Sequence, residues 1–84
     1  MAEHILVKFK FKQELTEDQL DPVKKEFEGK LKTKIKKEKN KGKRLEWIVK
    51  AKKPELVEEA AITKLFKRAQ LNKLLKSLEI EQMK

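Results

Sequence analysis

The sequence predicts an α+β domain: a small three-stranded sheet with two helices packed on one face and a lysine-rich opposite face. Two observations support this. Three runs alternate apolar and charged residues with the period of a strand, and two segments repeat apolar residues with the period of a helix. In chain order these segments give β-α-β-β-α. With 84 residues, the chain 1–84 is expected to form a single small domain with one modest core.

The first predicted strand covers residues 4–12, "HILVKFKFK". The alternation places one set of residues on the same face: Ile5, Val7, Phe9 and Phe11. The other face holds His4, Leu6, Lys8, Lys10 and Lys12. Aromatic residues interleaved with lysines also occur in base-stacking surfaces. Because Phe9 and Phe11 share their face with aliphatic residues that the helices must bury, we expect both rings in the core.

The first helix is predicted from about residue 17 to residue 28. Thr16 and Gln19 have the spacing of a capping box, and Asp21 followed by Pro22 is a second candidate start, since proline suits the first helical position. The apolar residues that recur at helical spacing are Leu20, Val23 and Phe27. Gly29 follows where a glycine commonly ends a helix, so the sequence predicts the helix end there.

Segment 30–41 supports two interpretations. A helical stripe through Leu31 and Ile35 would extend the first helix to about residue 40, whereas Leu31, Thr33 and Ile35 also alternate with lysines as a strand would. The β-branched residues and the turn sequence "NKG" at 40–42 favour the strand. A second alternating run follows, with one face formed by Leu45, Trp47, Val49 and Ala51. The sequence therefore favours a β-hairpin over one long helix.

The last segment, from Pro54 onward, is predicted to be helical. One face of its first half carries Val57, Ala61, Ile62, Leu65, Phe66 and Ala69. Nearly opposite, in its second half, lie Leu71, Leu74, Leu75 and Leu78. Because the apolar stripe changes sides near residue 70, residues 71–84 are expected to form a helical extension that either protrudes or folds back on the core.

The composition argues against an enzyme. The chain has no cysteine, one histidine and one serine, and its two glycines lie too far apart to form a phosphate-cradling loop. We therefore expect no catalytic residue, no metal site and no cofactor. No apolar run approaches the ~20 residues needed to cross a bilayer. The sequence thus predicts a soluble, cytoplasmic protein without a membrane partner.

The net charge of +9 is concentrated in one segment. Residues 30–53 hold twelve lysines or arginines and two acids, whereas the rest of the chain holds eleven and twelve. Such a local excess is typical of proteins that bind polyanions. Lysine outnumbers arginine 21 to 2, which favours contact with phosphates over recognition of guanine edges. The competing interpretation is a lysine face that is merely solvated.

The first functional hypothesis is therefore a small basic protein that binds the phosphate backbone of DNA or RNA with little sequence specificity, or else an acidic protein surface. The candidate nucleic-acid-binding residues are Lys8, Lys10, Lys12, Lys30, Lys32, Lys34, Lys36, Lys39, Lys41, Lys43, Arg44, Lys50 and Lys52. Leu6 and Ile48 share the predicted lysine face, and they would form a small apolar island if their strands pair.

The second hypothesis is a non-enzymatic protein-protein interaction module, such as a small regulator or inhibitor. Its candidate partner-binding residues are Leu71, Leu74, Leu75 and Leu78. Their spacing is typical of a helix that lies in a groove or pairs with another helix, which includes self-association into a homodimer. The alternative is that these leucines face the core of their own chain.

Overall fold

A computed structural model describes residues 3–83 and shows a four-stranded antiparallel sheet with two helices. The elements are β1 (Glu3–Phe11), α1 (Glu17–Lys30), β2 (Thr33–Lys41), β3 (Arg44–Ala51), α2 (Glu59–Arg68) and β4 (Leu75–Met83). A short 3₁₀ helix over Pro54–Leu56 precedes α2. The strand order across the sheet is β2-β3-β1-β4. The order β-α-β-β-α-β along the chain is that of ferredoxin-like, split β-α-β domains.

The α+β class is confirmed, but the three-stranded sheet is wrong because the chain adds a fourth strand. Helix α2 ends earlier than predicted, at Arg68, and Gln70 adopts a left-handed conformation with φ 61°. The Leu71 N–H donates to the Phe66 carbonyl at 2.8 Å, and the Gln70 N–H donates to the Lys67 carbonyl at 3.0 Å. This pair of bonds is the Schellman motif, which ends a helix and turns the chain away from its axis.

Strand β4 replaces the predicted helical extension over 71–84, of which residue 84 lies outside the described range. The strand pairs antiparallel with β1, so Leu78 lies opposite Phe9 and Ile80 lies opposite Val7. Both apolar side chains are half-buried against the core. The sequence "SLEIEQ" at 77–82 alternates with the period of a strand, and this was the available signal.

The β2–β3 hairpin is confirmed, and the alternative of one long helix is wrong. Its two-residue turn is Gly42–Lys43, where Gly42 has φ 73°, as the first position of a type II′ turn requires. The Gly42 N–H donates to Oδ1 of Asn40 at 3.2 Å. The predicted boundary is corrected: α1 continues through Gly29 to Lys30, and β2 begins only at Thr33.

A register shift in β2 changes which side chains share a face. Ile35 lies opposite Val49, but the next paired residue is Lys37, opposite Ile48, so Lys36 is the extra residue of a bulge. Beyond the bulge the alternation is inverted. Lys37, Lys39 and Lys41 point away from the helices, and Glu38 points toward them.

The core lies between the sheet and the two helices. All five aromatic side chains are buried there: Phe9, Phe11, Phe27, Trp47 and Phe66. The Phe9 and Phe27 rings each meet the Trp47 ring edge to face, with ring centres 4.8 and 5.2 Å apart. The predicted core position of Phe9 and Phe11 is therefore confirmed. The capping box of Thr16 and Gln19 at the start of α1 is confirmed as well.

Candidate nucleic-acid interface

The candidate interface is the face of the sheet that points away from the helices, here called the open face. Residues directly opposite one another on neighbouring strands form rows across it. From β4 or β1 toward β2, the rows are Ser77–Lys10–Arg44–Lys41, Glu79–Lys8–Glu46–Lys39, Glu81–Leu6–Ile48–Lys37 and His4–Lys50–Lys34. The β2 end of every row is a lysine, whereas the β4 positions are serine and glutamate. The positive charge is therefore highest along β2 and lowest along β4.

The first row holds three cations on adjacent strands. Lys10, Arg44 and Lys41 lie opposite one another, and Lys43 follows in the turn between β2 and β3. All four side chains are exposed. We call these four residues the turn cluster. Like charges directly opposite on neighbouring strands destabilise a sheet by up to ~1 kcal/mol per pair, so folding alone does not favour this arrangement.

A second cluster lies at the other end of the hairpin. Five exposed lysines line an open groove of about 770 Å³: Lys32, Lys34, Lys36, Lys50 and Lys52. We call them the groove cluster. Lys34 lies directly opposite Lys50. The Lys52 N–H donates to the Lys32 carbonyl at 3.3 Å, and this bond holds the two chain segments together.

One acidic residue, Glu28 of α1, also lines this groove. Its Oε2 accepts a hydrogen bond of 2.9 Å from the Ile35 N–H on strand β2. Strand β2 is an edge strand of the sheet, and unpaired N–H groups on an edge attract other chains. Glu28 therefore has a structural role at the edge, where it joins strand β2 to helix α1.

The two middle rows are compensated rather than positive. Nζ of Lys8 lies 3.5 Å from Oε1 of Glu81, and Lys8 is flanked on the neighbouring strands by Glu46 and Glu79. In the next row, Leu6 and Ile48 lie opposite each other and are half-buried, so the predicted apolar island is confirmed. The turn cluster thus lies at one end of the open face, and the groove cluster reaches its other end through Lys34 and Lys50. The centre between them is compensated and partly apolar.

These positions correct the predicted lysine face. The structure does not extend it evenly over three strands, because β4 brings Glu79 and Glu81 beside Lys8. Lys30 lies at the end of α1 and Lys12 lies just beyond β1, so neither belongs to a row of the sheet. The remaining predicted lysines and Arg44 lie in the two clusters, or at Lys39 on β2.

Sequence reasoning missed Lys37. It is exposed and lies on the open face between Lys34 and Lys39. Strict alternation from Lys34 would place Lys37 on the helix side of the sheet. The signal that could have found it is the pair of adjacent lysines 36 and 37, which interrupts the alternation and marks the bulge.

The leucines proposed as a partner-binding stripe do not lie on one helix. Leu71 is buried in the core, in the turn after α2. Leu74, Leu75 and Leu78 are half-buried and pack against the core from the turn and from β4. The second hypothesis therefore loses the helical surface on which it depended.

Among residues 3–83 there is no group of three or more histidine, cysteine, aspartate or glutamate side chains placed to hold a metal ion. Within the same residues, neither helix is long and apolar enough to cross a membrane. Comparison with protein-family models, with curated proteins and with solved structures finds no match to this chain. The functional proposal therefore rests on the geometry and charge of the open face.

Proposed function

We propose that this protein binds nucleic acid through the phosphate backbone, with little sequence specificity. The binding surface consists of the turn cluster, the groove cluster and the β2 residues Lys37 and Lys39. The observation that carries the proposal is the placement of like charges directly opposite one another, at Lys10–Arg44–Lys41 and at Lys34–Lys50. A bound phosphate relieves this repulsion. The packing of the core does not require these like charges to lie opposite one another.

Phosphate suits this surface better than an acidic protein does. Protein interfaces are depleted in lysine and enriched in arginine and aromatic residues. The open face is rich in lysine, and all five aromatic side chains of the chain are buried on the other side of the sheet. Lysine is a compact point charge that serves well as a phosphate contact.

The same composition predicts weak sequence specificity. Arginine is the residue that reads guanine edges most often. The chain has two arginines, and only Arg44 lies on the open face, since Arg68 ends helix α2 near Glu26.

The test compares two variants with the same net charge. The first changes the four lysines of the β2 column, Lys34, Lys37, Lys39 and Lys41, to glutamine. The control changes four exposed lysines elsewhere, Lys25, Lys64, Lys67 and Lys73, to glutamine. Binding is measured by fluorescence anisotropy with a labelled duplex of roughly 20 base pairs at about 50 mM salt.

We expect the β2 variant to lose about 100-fold or more in affinity and the control about threefold or less, because local phosphate contacts dominate over net charge. Equal losses in both variants would contradict the proposal. If the unmodified chain does not bind at low salt, the proposal fails, and an acidic protein surface becomes the partner to seek.

A further inference from the structure

We infer that the open face binds double-stranded rather than single-stranded nucleic acid, with its two cationic clusters on the two phosphate backbones that flank one groove. This inference rests on the proposed function and names the class of nucleic acid. Three observations support it: the side chains on the central strands of the open face, the density of phosphate charge on a duplex, and the distance between the two clusters.

The central strands offer no surface on which bases can stack. Four-stranded sheets that bind single-stranded RNA present aromatic side chains from their strands, and successive bases stack on them. On this open face the positions that point outward from β1 and β3 are occupied by His4, Leu6, Lys8, Lys10, Arg44, Glu46, Ile48 and Lys50. The phenylalanines and the tryptophan point to the helices. A single strand therefore gains phosphate contacts here but lacks aromatic stacking.

When phosphate contacts dominate the binding, the density of phosphate charge on the nucleic acid decides whether a duplex or a single strand is preferred. A duplex carries one negative charge per ~1.7 Å of its axis, about twice the density of one of its strands. A sheet also holds its lysines at fixed spacing on a rigid backbone, which suits the regular phosphates of a duplex better than the variable conformation of a single strand. Both effects favour the double helix.

The centre of the open face disfavours a backbone laid along β1 or β3. Such a backbone would pass Glu46 and the apolar pair of Leu6 and Ile48. Phosphates are instead attracted to the two ends of the hairpin. Arg44 of the turn cluster and Lys50 of the groove cluster are six residues apart on β3, which corresponds to ~20 Å.

A B-DNA major groove is about 12 Å wide, so a separation of ~20 Å spans the groove and lets each cluster reach the backbone on its own side. With one cluster on each backbone, the compensated centre lies over the groove rather than over phosphates. The carboxylate of Glu46 is then kept away from negative charge. The two clusters and the neutral centre are thus explained by one arrangement.

The test measures dissociation constants for a duplex DNA, a duplex RNA and each of the component single strands, all of equal length and at the same salt concentration. We expect the duplexes to bind about tenfold or more tightly than the single strands. The two duplex arms show whether the B-form or the A-form helix is preferred. If single strands bind as tightly as duplexes, the inference fails while the proposed function stands. If no nucleic acid binds, the proposed function fails.

A gain-of-function variant tests the cause of the preference. Ile48→Phe places an aromatic ring in the centre of the open face, and Ile48→Leu is the control that adds no ring. We expect Ile48→Phe to raise single-strand affinity about fivefold or more and to leave duplex affinity within about twofold. If Ile48→Phe leaves single-strand affinity unchanged, the missing stacking surface is not the cause, and the inference is overturned.

Discussion

The indole N–H of Trp47 donates a hydrogen bond of 2.8 Å to Oε2 of Glu38. Nζ of Lys24 lies 2.7 Å from the same oxygen, so α1, β2 and β3 meet at one carboxylate. Glu38 reaches this position only because the bulge at Lys36 turns it toward the helices. The carboxylate therefore fixes the register of β2, and the register decides which lysines lie on the open face.

Removal of this carboxylate should destabilise the fold. Glu38→Ala leaves the Trp47 N–H, on a fully buried side chain, without its acceptor, and we expect the free energy of unfolding to fall by about 1–3 kcal/mol. Urea unfolding followed by the fluorescence of the single tryptophan measures it. The control Lys37→Ala, on the exposed face, should change stability by about 0.5 kcal/mol or less. Equal stabilities for the two variants would show that the Trp47–Glu38 bond contributes nothing.

Charge reversals at two positions of β2 should affect stability in opposite directions. Lys34→Glu introduces an opposite charge across from Lys50, and we expect the free energy of unfolding to rise by up to ~1 kcal/mol. Lys39→Glu makes the same charge change, but across from Glu46, and should lower that free energy by a similar amount.

Both reversals should weaken nucleic acid binding, since both remove a phosphate contact from the open face. Stability is measured by urea unfolding and affinity by anisotropy at the same salt concentration. A rise in stability together with a loss of affinity for Lys34→Glu is the combination expected of a residue retained for binding. Stability changes of equal sign and size in the two variants would rule out cross-strand repulsion as the cause.

The end of α2 contains backbone strain that a single substitution should relieve. Gln70 has φ 61°, a conformation that costs a residue with a side chain about 1–2 kcal/mol. Glycine adopts it freely but loses about 0.5–1 kcal/mol through the entropy of the unfolded chain. Gln70→Gly should therefore raise stability by about 0.5–1 kcal/mol, and Gln70→Ala should give no gain. A lower melting temperature for Gln70→Gly than for the unmodified chain would be inconsistent with this helix end.

Substitutions on the two faces of strand β4 should change the stability by different amounts. Ile80 is half-buried on the helix side, opposite Val7, so Ile80→Asp loses apolar contact and brings a carboxylate to the core edge. We expect a loss of about 2 kcal/mol. Glu81→Gln, on the open face, removes the partner of an exposed ion pair and should cost about 1 kcal/mol or less. Similar losses at both positions would argue against the alternation of β4.

Strand β1, the start of α1 and the hairpin could be predicted because each carries a local signal. Strict alternation identifies the strand at Ile5 to Phe11, the Thr16–Gln19 pair marks the helix start, and the residues before Gly42 mark the turn. The apolar face of β1 could be assigned to the core for the same reason. These elements are specified by residues close together in the sequence.

Strand β4 could not be predicted in the same way. Leucine, lysine, glutamate and glutamine favour helices, and the spacing of Leu71, Leu74, Leu75 and Leu78 imitates a helical stripe. Those leucines come instead from a turn and a strand. The segment becomes a strand because the free edge of β1 offers it a long antiparallel partner, and such pairing depends on residues distant in the sequence.

The candidate site was only partly predictable for a related reason. The excess of lysine between residues 30 and 53 was visible, but the bulge at Lys36 decides which lysines share a face. The compensation of Lys8 by Glu81 depends on the missed strand β4. The sequence therefore indicated the charge, and the pairing of strands determined its distribution.

The most direct test of phosphate binding by the open face is the salt dependence of duplex affinity for the unmodified chain, Lys41→Gln and Lys8→Gln. Lys41 lies in the turn cluster, whereas the ammonium of Lys8 is 3.5 Å from a carboxylate oxygen of Glu81. We predict that the slope of log affinity against log salt falls by about 1 for Lys41→Gln and stays nearly unchanged for Lys8→Gln. An equal fall in slope for both variants, or a slope near zero for the unmodified chain, would contradict phosphate binding by the open face.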